Sequence, residues 1–218
     1  MATFENHTHV RNVRSNEVPL CQEMTHLRIR RNSDKPYIVV EDRVSSGRKT
    51  FYSLMGSGLH GLNGLPVKTS LRIYNSYVIP RCLYGLESVK ITDTAKSKLT
   101  TLHRYCLRCI LGLPKWTAIP ALHILSGQLP IEFTMDIRCL TFIRSLMSIE
   151  PTKDIILRQY VVKPPSSNSL IINLKQKLQE YHLRSILELY EDIPDKQTWK
   201  KEVKATDRSL VDSEGMVK

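Results

Sequence analysis

No apolar run in this 218-residue chain exceeds four or five residues, Tyr37 to Val40 being typical. A membrane-spanning helix needs roughly 20, so none is expected. The opening residues, MATFENHTHVRN, lack the apolar centre of a secretory signal. Five cysteines, an odd number without an export signal, point to free thiols in a reducing compartment. The expected location is intracellular, nuclear or cytoplasmic, and neither secreted nor transmembrane. With 9 Gly and 11 Pro the chain is neither collagen-like nor of low complexity. Apolar residues at 41% and charged residues at 24% suit a packed core and argue against global disorder.

Acidic residues are nearly missing from the middle of the chain. Residues 43–115 carry twelve Lys/Arg against two Asp/Glu, Glu87 and Asp93. Residues 1–42 carry six of each, and residues 116–218 carry fourteen against thirteen. Nearly all of the formal +11 therefore sits in one central third. Positive charge so localised favours a polyanionic partner, because each neutralised phosphate releases condensed counterions. A solvated, solubilising face is the plain alternative.

The usual catalytic patterns are also missing. There is no GxSxG, no HExxH and no Asp-Asp. Metal-assisted phosphoryl transfer needs two or more carboxylates to hold the ion, and the basic region has only Glu87 and Asp93. Gly56-Ser57-Gly58-Leu59-His60-Gly61 is a literal GxGxxG, but it follows a predicted helix and runs into Gly64 and Pro66. A phosphate-binding turn leaves a strand and opens a helix, so the context disfavours nucleotide binding. Cys106 and Cys109, with His103 before them, have ligand-like spacing. They fall within one predicted helix, on its core-facing stripe, where buried thiols are the better reading. His7 and His9 make an equally weak pair.

What is present is mostly helical periodicity. Residues 1–20 read as a disordered tail. Gln22 to Arg30 alternates as a short strand, Pro36 to Glu41 is β-branched and aromatic, and RNSDK between them supplies turn residues, which predicts a β-hairpin over 21–41. Asp42 is placed to cap a helix through Arg43, Gly47, Phe51 and Met55. Apolar residues at 67, 71, 74 and 78 predict a second helix that meets Pro80. Ala95, Leu99, Leu102, Cys106, Cys109 and Ile110 define a helix from Thr92 to Leu111, closed by Gly112 and Pro114. Another helix is expected from Pro130 to Ile149, ended by Pro151. Lys163 to Ser169 reads as a linker. Leu170 to Tyr190 reads as one further amphipathic helix, followed by a charged tail to residue 218. The fold class is mainly α: a helical bundle over 42–162 with a short N-terminal hairpin and disordered termini.

Three strings then stand out: Tyr77-Val78-Ile79-Pro80-Arg81-Cys82-Leu83-Tyr84-Gly85-Leu86-Glu87, Leu107-Arg108-Cys109-Ile110-Leu111-Gly112-Leu113-Pro114, and Gly127-Gln128-Leu129-Pro130-Ile131-Glu132. In that order and spacing they resemble the region after the catalytic palm in reverse transcriptases of non-LTR (LINE-type) retrotransposons. Met24-Thr25-His26-Leu27 is similar to the hairpin at the palm–thumb boundary of those enzymes. The resemblance spans about residues 24–150. It implies a thumb and post-thumb segment that contacts nucleic-acid backbone. The family's polymerase chemistry rests on palm aspartates, including a Tyr/Phe-x-Asp-Asp turn, which this sequence does not carry. The resemblance therefore implies a catalytically incomplete remnant and no enzyme. The family usually has Gly after the His-Leu of the hairpin, where this chain has Arg28.

The residues assigned to backbone contact are Arg43, Arg48, Lys49, Lys68, Arg72, Arg81, Arg104, Arg108 and Lys115, with Trp116 as a ring that stacks on bases. Phe51, Tyr52, Tyr74, Tyr77 and Tyr84 lie among them; core packing is the better reading for Tyr74, Tyr77 and Tyr84. The expected partner is RNA or DNA, with no membrane, no small-molecule substrate, no metal and no cofactor. The competing readings are a helical protein–protein interaction module, using helices 92–111 and 170–190, and a fragment without function. A sequence-reading DNA regulator is disfavoured, because no helix gathers Arg, Asn and Gln on one face.

Overall fold

The structure is a computed structural model that describes residues 11–13, 16–18, 22–32, 35, 37–89, 91–162 and 169–213. The chain divides into two units, residues 1–39 and 40–218.

The first unit carries two antiparallel hairpins. Strands β1 (Arg11–Val13) and β2 (Asn16–Val18) pair within the stretch read as a tail. Strand β3 (Glu23–His26) pairs with β4 (Ile29–Asn32), Glu23 opposite Asn32 and His26 opposite Ile29. A hairpin is present where expected, but its register differs. The turn is Leu27-Arg28, not RNSDK, and both residues are left-handed, with φ of 48° and 60°. Two consecutive positive φ angles are what a two-residue turn needs to match strand twist. The place where the resembling family carries Gly is thus a position where a side chain is strained.

The predicted second strand, Pro36 to Glu41, is helical from Ile38 onward, with Pro36 itself outside the described residues. Helix α1 runs Ile38–Met55, opened by the Ile38 N–H donating to the Lys35 carbonyl at 3.1 Å. The β-branched run misleads because Val40, Gly47 and Phe51 share one helical face and are buried. Packing on that face overrides local β propensity. Gly47 is required there, since a Cβ would lie 2.1 Å from Cys82 Sγ.

The predicted second helix does not stop at Pro80. Helix α2 (Val67–Ile73) passes through a π-helical turn (Tyr74–Val78) into α3 (Ile79–Leu83). Pro80 has no N–H for an intrahelical bond, and its ring crowds the preceding turn. The wider turn, in which the Ile79 N–H reaches Tyr74 O, accommodates it. Gly85 then turns the chain with φ 76°.

Helix α4 (Asp93–Leu111) matches expectation closely. The Thr92 hydroxyl accepts from Ala95 N at 3.4 Å, and Gly112 closes the helix with φ 65°. Leu113 N–H returns to Arg108 O and Gly112 N–H to Cys109 O, which satisfies the last carbonyls. Helix α5 (Ile119–Ser126) opens on Pro120 and ends at left-handed Gly127. Helix α6 (Ile131–Met147) follows Pro130. Pro151 does not end that helix; it sits in the first turn of α7 (Glu150–Val162), where its missing N–H is harmless.

The 170–190 helix is two helices, α8 (Leu170–Glu180) and α9 (Ile186–Glu191), broken at His182 with φ 48°. The linker read at 163–169 lies outside the described residues apart from Ser169, which caps α8 by accepting from Ile172 N at 3.4 Å. The region read as a charged tail carries α10 (Lys196–Ser213). Its Trp199 is fully buried and donates Nε1–H to Leu140 O at 2.9 Å. Helix α6 is the central element, packed against α4 and against α7 to α10. Leu140, Ile143, Met147, Ile156, Leu174, Leu178, Leu189, Trp199 and Val203 make one core. No described helix is long and apolar enough to cross a membrane.

Candidate nucleic-acid interface

The basic residues fall into two groups. Arg48 and Lys49 on α1, Lys68 and Arg72 one turn apart on α2, and Lys115 beyond α4 are all exposed. None of these five makes an ion pair or side-chain hydrogen bond with another described residue. Arg81 is exposed too, and its Nη1 donates to Thr50 Oγ1 at 3.0 Å. Arg43, Arg104 and Arg108 are half-buried. Arg43 lies over the Tyr84 ring at 4.9 Å, and Arg108 Nη2 donates to Thr117 O at 3.1 Å. The two acids of this region offer little compensation: Asp93 pairs with Lys96 at 3.6 Å, and Glu87 is half-buried.

The aromatic residues divide differently from expectation. Phe51 and Tyr74 are buried, as read for Tyr74. Tyr77, 58% exposed, and Tyr84, 45% exposed, are not core residues. Tyr77 stands on the π-helical turn, where the additional residue carries it off the buried stripe of Tyr74 and Val78. Tyr84 has left α3 in an extended conformation. The exposed Tyr52 and Tyr105 hydroxyls meet at 3.1 Å. Trp116 is 86% exposed beside Lys115, as read for a surface ring.

Each of the three quoted strings proves to hold the scaffold together. In the first, Cys82 meets Gly47 and Gly85 makes a left-handed turn. In the second, the end of α4 meets the glycine-rich loop: Gly61 N–H donates to Cys109 O at 2.9 Å, and a Cβ on Gly61 would lie 2.2 Å from Gly112 N. The GxGxxG is therefore a close backbone contact. In the third, two carbonyls anchor histidines. His123 Nδ1 donates to Gln128 O at 2.9 Å, and His103 Nε2 donates to Leu129 O at 3.2 Å.

Those bonds fix the tautomers, because a carbonyl can only accept. His103 Nδ1 must then accept from the Tyr74 hydroxyl, at 2.7 Å. Burial, with His123 stacked 6.0 Å away, pushes His103 down to about 4. Burial likewise lifts the Tyr74 phenol and raises the Cys82 thiol to about 12. The four described cysteines are free, and no three His, Cys, Asp or Glu among the described residues are grouped to hold a metal ion.

Arg104 and Arg108 flank a feature that the sequence does not reveal. A cavity of about 320 Å³ opens between α4, α5, α6 and α8, with Arg104, His123, Glu132 and Lys177 on its wall. Of these four, only Arg104 is a candidate from the sequence, as a basic residue. The cavity is assembled by long-range packing, and no spacing encodes it. Compared with known proteins, the chain matches no family model, no curated protein and no solved structure.

Proposed function

We propose that this chain binds nucleic-acid backbone without sequence preference, as a non-catalytic relative of the thumb and post-thumb region of LINE-type reverse transcriptases. The observation that carries the reading is the set of exposed, uncompensated cations Arg48, Lys49, Lys68, Arg72 and Lys115. Cations kept in water without carboxylate partners add nothing to the core, and they suit phosphate contact. The exposed rings of Trp116, Tyr77 and Tyr84 add surfaces for base stacking. The order of the three strings supports the resemblance to that family.

The test is fluorescence anisotropy with single-stranded DNA, duplex DNA and an RNA–DNA hybrid over a range of salt. Duplex affinity should fall with a log–log slope of about −0.9 per phosphate contacted. Arg48→Glu/Lys68→Glu/Arg72→Glu should abolish binding while leaving the melting curve in place, since all three are exposed. Salt-independent binding, or an unaffected triple variant, refutes the reading.

A helical docking module remains the second reading, with a changed surface. The apolar faces of 92–111 and 170–190, made by Leu99, Leu102, Cys106, Leu174 and Leu178 among others, are buried within the molecule. What favours docking instead is α5, where Ile124 and Leu125 face solvent. Salt-tolerant self-association lost in Ile124→Ser/Leu125→Ser would support it.

A further inference from the structure

Two exposed rings flank an exposed arginine where the π-helical turn runs into α3. Tyr77 and Tyr84 keep 58% and 45% of their surface, and Arg81 lies between them in the chain. Tyr77 precedes Arg81 by four residues, a spacing that makes neighbours on a helix surface. Contacts with α1 place the other two. Arg81 Nη1 donates to Thr50 Oγ1 at 3.0 Å, and the Arg43 guanidinium lies 4.9 Å from the centre of the Tyr84 ring. Arg43 and Thr50 are seven residues apart, two turns along one face of α1. The later residue of α1 meets the earlier residue of α3, so the two helices run antiparallel along a seam. The order on that seam is Tyr77, Arg81, then Tyr84 against Arg43.

Single exposed apolar side chains are common on protein surfaces, but here ring and cation alternate in a stretch without acids. Residues 43–86 contain no Asp or Glu. Glu41 is taken by Lys98 on the α4 side, and Asp42 and Glu87 are half-buried. Lys49, next to Thr50, adds a further exposed cation.

A duplex keeps its base faces stacked inside and offers a protein its phosphates and groove edges. A single strand offers base faces and phosphates in turn. Alternating rings and cations match the second pattern: Tyr77 and Tyr84 suit bases, and Arg81 and Lys49 suit the phosphates between them. Arg43 steadies the Tyr84 ring, so little ordering is left for a base to impose on it.

We infer that the seam of α1 and α3, with Tyr77, Arg81 and Tyr84 in order, binds single-stranded nucleic acid by stacking bases on the two rings. This rests on the backbone-binding reading above and adds the bases of a single strand to what is held.

The experiment is fluorescence anisotropy of the full chain with two labelled strands of equal length over a range of salt. One is oligothymidylate; the other is built of stable abasic nucleotides, which keeps every phosphate and removes every base. Stacking on an aromatic ring is worth about fivefold or more in affinity per base. The thymidine strand should therefore bind at least about tenfold more tightly than the abasic strand. Tyr77→Ala and Tyr84→Ala should each weaken thymidine binding about fivefold or more and leave abasic binding unchanged. Tyr77→Phe keeps the ring and should bind as the parent does. Equal binding of the two strands overturns the inference and leaves salt-dependent backbone binding standing. So does a base preference that survives Tyr77→Ala and Tyr84→Ala, which would put the bases on another ring such as Trp116. Absence of salt-dependent binding to either strand removes the backbone reading, and this inference with it. Tyr77 stands largely in water, so Tyr77→Ala decides the matter even where Tyr84→Ala unsettles α1 by releasing Arg43.

Discussion

Acidification should remove a defined part of the stability, and the buried His103 sets its size. In the unfolded chain this ring titrates near its ordinary 6.5, whereas in the fold it is held down to about 4 by burial and by His123. Between those values the unfolded chain binds the extra proton, so stability rises with pH across that window. The contribution is fully present above about 6.5 and is lost as the pH falls through about 4. For a single site with these two pKa values, linkage gives a loss of about 1 kcal/mol at pH 5.5 and about 3 kcal/mol at pH 4, relative to pH 7. His123, also depressed, acts with the same sign. The assay is urea unfolding at pH 7, 5.5 and 4 for the parent and for His103→Gln. The variant is less stable at pH 7, because Tyr74 and Leu129 lose their partner. Its pH dependence should nevertheless be shallower than the parent's by about 3 kcal/mol over the range. Parallel pH profiles for parent and variant would refute the assignment of His103 as a buried neutral ring.

Other substitutions test separate parts of the structure. Trp199→Ala should cost about 3–5 kcal/mol in chemical unfolding, as expected for a large aromatic in a closed core; a loss under about 1 kcal/mol would mean that α10 is dispensable. Gly61→Ala puts a Cβ 2.2 Å from Gly112 N, a backbone atom that cannot yield cheaply, and should destabilise by about 1–3 kcal/mol. Arg28→Gly relieves a left-handed residue with φ 60° and should stabilise the β3–β4 hairpin by about 1 kcal/mol, seen as roughly fivefold slower amide exchange of its paired residues. Unchanged exchange would place the cost of that turn elsewhere.

How far the fold could be read depended on whether its signals were local. Helix α4 was legible at both ends because Thr92, Gly112 and the stripe of Leu99, Leu102, Cys106 and Ile110 all act within the helix. Helix α5 leaves no stripe: it has eight residues and is apolar on its exposed side as well as its buried one. Helix α10 was hidden because its burial rests on Trp199 and Val203, one turn apart in a charged sequence, while the groove that receives them is built by α6 and its neighbours. At Pro80 and Pro151 the rule that proline stops a helix was sound, but its consequence was not an end. One was absorbed by a π-helical turn, and the other marks a beginning. The exposed cations were legible from composition alone. The cavity was not, because Arg104, His123, Glu132 and Lys177 come from four helices.

The positions of the motifs and of the charges bear on how function should be tested. The three strings fall on contacts that shape the scaffold: Cys82 on Gly47, Gly112 on Gly61, and the Gln128 and Leu129 carbonyls on two histidines. Altering such residues would damage folding before it touched binding. The cations Arg48, Lys49, Lys68, Arg72 and Lys115 lie outside those strings and outside the core. Replacing them leaves the scaffold's contacts in place, so a loss of binding in those variants reports on binding alone. Arg104 and Arg108 are the wrong residues for that purpose. Each has an Nε buried without a partner, and reversing either charge would put a carboxylate beside Glu132 or against the Thr117 carbonyl. A variant that lost nucleic-acid affinity through Arg104→Glu would be silent on whether the interface or the fold had failed, whereas Arg48→Glu/Lys68→Glu/Arg72→Glu separates the two.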